Sequence, residues 1–240
     1  RPSDTPEALD APTLPRSYAL TFLTFLSLLA LSLVLRLPLR VPWLESWDEV
    51  DFALGLVRYS LSEYRPHFPG YPVYLWMSHS LSPWTGSETT ALNLVSAFLG
   101  GLTPLPFFLL VRDLYNRKTA LLASLLLILN PLHWLLSERA LSDVPGSFFV
   151  IAFLCLSFRV LKAERRASRR LLTVGAFAAL ALALGARPSY FPFLITAVGY
   201  QIWVLKGLAS RKERWEQVAL ATTVFLTVCS LWLLWQAIQL

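Results

Sequence analysis

Apolar residues along this chain occur in long blocks, and charged residues fall between the blocks. A helix needs about 20 mostly apolar residues to cross the hydrocarbon core of a membrane, and several blocks reach that length. Their leucine-rich runs lack the alternation of a barrel strand. The pattern predicts an all-α, polytopic membrane helix bundle with about seven spans, at residues 18–35, 91–111, 119–136, 143–161, 171–186, 188–205 and 218–238.

The composition supports a membrane protein and argues against a nucleic-acid partner. Hydrophobic residues make up 55% of the 240 residues and charged residues only 15%, whereas soluble domains carry about 25% charged residues. The net charge of +6 comes largely from short connectors between the apolar blocks, which is a topology signal. Cys155 and Cys229 lie inside apolar blocks without metal-binding or disulfide spacing and are interpreted as buried hydrophobic residues.

The chain divides into a short leader and one membrane module. Residues 1–16 are rich in Pro, Asp and Thr and are predicted to be a disordered cytosolic leader. Residues 17–240 form the predicted transmembrane module, whose first block lacks a small-residue cleavage site and is expected to stay as an anchor. Because the chain ends where a span finishes, the module is interpreted as the amino-terminal part of a longer protein.

Alternate connectors differ in basic charge. Residues 112–118, 162–170 and 206–214 are rich in Lys and Arg, and the intervening connectors are less basic per residue. Basic short loops face the cytoplasm. The chain is therefore predicted to be a multi-pass plasma (inner) membrane protein with a cytoplasmic amino terminus, and residues 36–71 are predicted to lie outside.

The first outer segment carries the main candidate site. Residues 46–64 show helical spacing of apolar residues, which predicts an amphipathic helix on the membrane surface. Ser46 and Glu49 match a capping box, so Asp48 and Glu49 could simply begin this helix. Alternatively, Asp48 could act as a general base, and Asp48 with Asp51 could share a divalent cation.

Further candidates lie in the later outer connectors. His67 precedes a predicted half-inserted helix that runs to Leu81; it could orient a substrate or bind metal, or be structural. Asp143 is either the N-cap of the next helix or part of a site with Arg139, because charge at a membrane boundary is costly unless exposed or used. Arg187 could reach lipid headgroups or bind a phosphate.

In this order, these residues resemble the polyprenyl-phosphate-sugar-dependent integral membrane glycosyltransferases of the GT-C fold, in the branch of protein O-mannosyltransferases and lipid A aminoarabinose transferases. The resemblance covers the chain from about residue 18 onward. It is carried by Trp47-Asp48-Glu49, His67-Phe-Pro-Gly-Tyr71, the basic turn at residues 112–120, Asn130-Pro131 leading to Asp143, and Gly185-Ala-Arg187-Pro188.

The resemblance implies an inverting hexosyl- or pentosyltransferase that uses a polyprenyl-phosphate sugar on the extracytoplasmic face. Asp48, with Glu49 beside it, would activate an acceptor that is a lipid, glycan or protein. Asp143 and His67 would help to bind substrate, and Arg187 or Arg139 would contact the donor phosphate. A lipid-linked sugar transporter (flippase) and a non-catalytic membrane assembly subunit stay open as alternatives, although transporters bind substrate nearer the bilayer midplane.

Overall fold

The computed structural model describes residues 16–207 and 210–240 and consists of helices in this part of the chain. The all-α prediction is confirmed, while the predicted leader lies almost wholly outside the described residues. Three 3-10 turns, Leu37–Leu39, Leu61–Glu63 and Pro188–Tyr190, join some of the helices. The α-helices are α1 (Arg16–Arg36), α2 (Trp47–Val57), α3 (Pro72–Thr85), α4 (Glu88–Leu102), α5 (Pro104–Leu114), α6 (Arg117–Ile128), α7 (Pro131–Ser137), α8 (Asp143–Lys162), α9 (Arg166–Ala186), α10 (Phe193–Lys206) and α11 (Arg211–Gln239).

Within the described residues, five helical segments are long and apolar enough to cross a membrane: Leu20–Leu39, Glu88–Leu114, Asp143–Lys162, Arg166–Ala186 and Arg211–Gln239. The pair α6 and α7 adds a sixth if its 56° bend is taken as one broken span. The chain is therefore a multi-pass membrane protein, but the count of seven is not confirmed. The block predicted at residues 188–205 forms the 14-residue α10, which rises only about 21 Å.

One end of the bundle holds a network of basic residues. Asp113 at the end of α5 accepts hydrogen bonds from Arg112 at 2.8 Å and from Arg159 of α8 at 2.7 Å. Glu216 of α11 pairs with Arg166 and Arg170 at the start of α9. The described residues of the three basic connectors therefore lie together, at the end of these helices opposite to the candidate site.

At the other end, α2 and α3 pack on α4 through an apolar cluster. Phe52, Tyr74, Leu75 and Leu92 are fully buried there. The rings of Phe52 and Tyr74 meet edge to face with centroids 5.3 Å apart. Burying a large apolar side chain contributes about 1.5–3 kcal/mol, so this cluster fixes the two short helices, of which α2 carries Asp48, Glu49 and Asp51.

The segment between α1 and α3 is only partly as predicted. The capping box of Ser46 and Glu49 is present, but α2 ends at Val57 instead of continuing to residue 64. Arg58 is extended, and Ser60 forms an isolated antiparallel bridge with Arg65, so the chain turns back. The short helix predicted after His67 is confirmed as α3, whose 14 residues are again too few for a span.

Arg36 was predicted to begin the outer segment, but it is the fully buried last residue of α1. Its guanidinium donates to Ser32 Oγ at 2.9 Å and to the Ile128 carbonyl at 3.1 Å, and lies 3.0 Å from His133 Nδ1. Ile128 is the last residue of α6, whose final carbonyls lack helical partners. Arg36 thereby stabilises the break between α6 and α7.

Candidate functional site

The two neighbouring acidic residues at the start of α2 have different environments. The Glu49 side chain is only 1% exposed and accepts hydrogen bonds from the Ser46 amide at 2.9 Å and from Arg139 Nε at 2.6 Å. Burial alone would raise the pKa of Glu49, but these bonds and that from the Glu45 amide hold it below its usual value. The predicted catalytic role of Glu49 gains no support from these contacts, because its oxygens are already occupied.

Asp48 lies on the exposed side of α2. Among the described residues, its carboxylate has no ion-pair or hydrogen-bond partner. Its charge acts on Tyr71 at the start of α3 and on Asp143 at the start of α8. Asp48 is therefore an accessible carboxylate, close enough to Tyr71 and Asp143 for its charge to act on both.

Arg139 joins α2 to the connector before α8. Besides Glu49, it pairs with Glu45 at 3.1 Å. Two carboxylates thus neutralise the guanidinium that the sequence suggested as a donor-phosphate contact. This arrangement favours a structural role for Arg139.

Arg187 and Asp143 form a second ion pair, with Arg187 NH2 2.9 Å from Asp143 Oδ1. Arg187 NH1 also donates to Ser142 Oγ at 3.0 Å. The N-cap of α8 is Ser142 and not Asp143, which is the first helical residue, so the capping prediction for Asp143 is wrong by one position. As a result, the Asp143 carboxylate is available to Arg187.

The connector after α9 packs tightly against the start of α8. The Tyr190 hydroxyl donates to the Asp143 carbonyl at 3.1 Å. A Cβ added at Gly146 would lie 2.8 Å from Arg187 Cβ and 2.6 Å from the Tyr190 ring. The absence of a side chain at Gly146 therefore permits the close approach that seats Arg187 beside Asp143.

His67 is held on both sides of its ring. Its Nδ1 lies 3.2 Å from Asp51 Oδ2, and its Nε2 lies 2.9 Å from the Tyr71 hydroxyl. The loop is tied down by Tyr59, which donates to the Gly70 carbonyl at 3.2 Å, and Gly70 has a φ of 107° that favours glycine. His67 is therefore part of an ordered polar chain.

Tyr71 was quoted in the sequence motif but was not predicted as a site residue. It adopts the left-handed conformation with φ 49°, which is uncommon outside glycine. Burial raises the pKa of Tyr71; Arg187 opposes this rise, and Asp48 and Asp143 add to it. The charges of three candidates, from α2, α8 and the connector after α9, therefore act on the Tyr71 hydroxyl. The sequence signal that could have identified Tyr71 is its position directly before Pro72, the first residue of α3.

The predicted cation site shared by Asp48 and Asp51 differs from the observed arrangement. Asp51 faces His67, while Asp48 is exposed. Within residues 16–207 and 210–240, no group of three or more His, Cys, Asp or Glu side chains could hold a metal ion. The involvement of a divalent cation stays a prediction.

An apolar groove of about 340 Å³ opens between α3, α9 and α11. It adjoins the polar site, because Gly185, two residues before Arg187, packs against Val73 and Trp232. The groove is lined by Val73, Trp76, Leu182, Val228, Leu231, Trp232 and Trp235.

Comparison with known proteins identifies the family. The model of a family described as dolichyl-phosphate-mannose-protein mannosyltransferase matches residues 65–235, well over half of the chain. No curated protein and no solved structure matches. The matched region includes the His67 loop, Arg139, Asp143 and Arg187, and begins after Asp48 and Glu49. The chain belongs to the dolichyl-phosphate-mannose-protein mannosyltransferase family, a group of GT-C-type membrane glycosyltransferases.

Proposed function

We propose that this protein transfers a sugar from a polyprenyl-phosphate carrier to an acceptor on the extracytoplasmic face of the membrane, with Asp48 as the general base. The observation that carries the proposal is an unpaired, exposed carboxylate, Asp48, whose charge acts on Asp143 of the Arg187–Asp143 ion pair, together with an apolar groove that adjoins this pair. A base, an anion-binding guanidinium and an apolar groove for the lipid are the three parts that this reaction needs.

In the proposed reaction, the Asp48 carboxylate accepts the proton of the acceptor nucleophile. The nucleophile then forms a bond to the anomeric carbon as the bond from that carbon to the phosphate oxygen breaks, which inverts the configuration. The electron pair leaves with the polyprenyl phosphate. A positioned base contributes about 10²–10⁴-fold to the rate.

Arg187 is the better candidate for the donor phosphate than Arg139. It pairs with one carboxylate, Asp143, whereas Arg139 pairs with both Glu45 and Glu49. A guanidinium can bind phosphate oxygens in a bidentate manner. Asp143 would orient Arg187 before the donor binds.

The groove between α3, α9 and α11 would hold the isoprenoid chain. Its lining is apolar, including three tryptophans, and it lies one to two helical turns from Arg187 along α9. A phosphate at Arg187 and an isoprenoid in this groove can therefore belong to the same donor molecule.

The direct test uses membranes that contain the overproduced protein and dolichyl-phosphate mannose with a radiolabelled sugar. We expect transfer of label to a product that no longer carries the lipid phosphate, in proportion to the amount of protein. A flippase would move the intact labelled lipid between leaflets without breaking its sugar–phosphate bond, and an assembly subunit would do neither. Either result would contradict the proposal.

The orientation can be tested separately. Glu63→Cys lies in the predicted outer segment and Ser168→Cys in the first turn of α9, at the basic end of the bundle; both positions are exposed. In a background in which Cys155 and Cys229 are replaced, a membrane-impermeant thiol reagent should label intact cells at position 63 only. Labelling at position 168 should require permeabilisation. The opposite pattern would place the candidate site in the cytoplasm.

A further inference from the structure

Three side chains form a continuous hydrogen-bonded chain beside the proposed base. Asp51 Oδ2 lies 3.2 Å from His67 Nδ1, and His67 Nε2 lies 2.9 Å from the Tyr71 hydroxyl. Asp51 is 20% exposed and His67 24%, so both are largely shielded from water. This chain of hydrogen bonds links α2 to Tyr71, the residue directly before α3.

The order of donors and acceptors along this chain follows from the carboxylate. An ionised carboxylate can only accept hydrogen bonds, so the ring nitrogen that faces Asp51 carries the proton. In the neutral imidazole, Nε2 is then an acceptor, and the Tyr71 hydroxyl donates to it. With His67 neutral, the hydrogen of the Tyr71 hydroxyl is directed towards Nε2, which leaves the lone pairs of the Tyr71 oxygen for another donor.

Packing fixes the Tyr71 ring in this position. Its ring meets the rings of Phe52 and His67 edge to face, and the ring centroids are 4.9 Å apart in both pairs. Phe52 is itself fully buried. Tyr71 is therefore a rigid group, and the neighbouring charges that act on its hydroxyl are Arg187, Asp48 and Asp143.

We infer that the Tyr71 oxygen accepts a hydrogen bond from a substrate hydroxyl, and that Asp51 and His67 position it for this role. The inference rests on the proposed function. An oxygen whose hydrogen is already engaged does not bind phosphate, because phosphate oxygens are acceptors as well. The site is thus divided into a phosphate side at Arg187 and a hydroxyl side at Tyr71 and Asp48, and the hydroxyl belongs to the donor sugar or to the acceptor.

The test compares wild-type protein with Tyr71→Phe, which keeps the ring and its packing. Binding of dolichyl-phosphate mannose and of sugar-free dolichyl phosphate is measured on the purified protein, and transfer is measured at saturating donor. If the hydroxyl belongs to the sugar, binding of the mannose-bearing lipid should weaken about five- to tenfold, the effect of one lost hydrogen bond, while binding of dolichyl phosphate stays unchanged. If it belongs to the acceptor, both lipids should bind normally and transfer should fall about five- to tenfold.

Two outcomes would overturn the inference. One is unchanged binding and transfer in Tyr71→Phe. The other is an equal loss of affinity for both lipids, which would indicate a phosphate contact or a general disturbance of the site.

Asp51→Asn tests the positioning role, because an amide no longer dictates which nitrogen of His67 carries the proton. We expect it to reproduce the Tyr71→Phe defect in the same assay, and the double variant to be no worse than Tyr71→Phe alone. Residues that act as a unit give such non-additive losses, whereas independent structural damage adds. Additive losses would remove Asp51 from the proposed chain.

These results are separable from those for the proposed function. An active Asp48→Asn variant would refute the proposed base. The binding measurements on Tyr71→Phe would still test the role of the Tyr71 oxygen. An inactive Asp48→Asn with an unaffected Tyr71→Phe would refute this inference alone.

Discussion

Replacing Asp48 with Asn is expected to lower sugar transfer by about 10²–10⁴-fold, the contribution of a positioned general base. The amide has nearly the same shape as the carboxylate but cannot take the proton of the acceptor nucleophile. Because Asp48 is exposed and has no partner among the described residues, the substitution should leave folding and membrane insertion intact. The measurement is the initial rate of label transfer from dolichyl-phosphate mannose, normalised to protein content.

Glu63→Gln provides the matched control in the same segment between α1 and α3. Among the described residues, Glu63 makes only long ion pairs, with Arg58 at 3.3 Å and Arg65 at 3.5 Å, and its side chain is 42% exposed. Exposed pairs of this kind contribute about 0–1 kcal/mol, so this variant should transfer sugar at close to the wild-type rate. Full activity in Asp48→Asn, or an equal loss in both variants, would contradict the assignment of Asp48 as the base.

Local features of the site could be predicted from the sequence. The capping box of Ser46 and Glu49 depends on residues within one helical turn, and its spacing identifies it directly. The short helix after His67 follows from the prolines that precede it. The gathering of the connectors that carry the candidate residues at one end of the bundle follows from the alternation of antiparallel spans, each of which reverses direction in the membrane.

Pairings between distant residues could not be predicted in this way. Glu49 and Arg139 are 90 positions apart, and no periodicity indicates which of the acidic residues of α2 turns inward. Asp48 and Glu49 look equivalent in the sequence, yet a rotation of about 100° between successive helical residues separates an exposed carboxylate from a buried one. Similarly, Asp51 was grouped with Asp48 as a cation site, whereas the returning His67 loop provides it with a different partner.

The error at residues 46–64 has a related cause. The apolar spacing continues past Val57, and a helical pattern does not record the tertiary contacts that end it. Tyr59 is buried in the α2–α3–α4 cluster, and its hydroxyl holds the Gly70 carbonyl. This packing requires the chain to leave the helix, so the end of α2 is set by the loop that returns to it.

The two arginines of the site give the second prediction, because the sequence suggested the same role for both. Arg187→Lys keeps a positive charge beside Asp143 but loses the bidentate fork of the guanidinium. We expect its affinity for dolichyl phosphate to fall about 10- to 100-fold, since a hydrogen bond to a charged group is worth about 1.5–3 kcal/mol. Its thermal stability in detergent should remain close to that of the wild type.

Arg139→Lys should instead lose thermal stability and keep its affinity for dolichyl phosphate. Arg139 makes two contacts to Glu49, of which Lys can keep only one, and the remaining buried carboxylate oxygen would be left poorly paired. Breaking a buried ion pair lowers the free energy of unfolding by about 3–5 kcal/mol. The decrease in Arg139→Lys should be smaller, because Arg139 is 25% exposed. Thermal unfolding and binding of dolichyl phosphate, measured on both variants, separate the two roles. A loss of lipid affinity in Arg139→Lys with unchanged stability would instead assign the donor phosphate to Arg139, and would move the reaction centre from the α8–α9 side of the site to the α2 side.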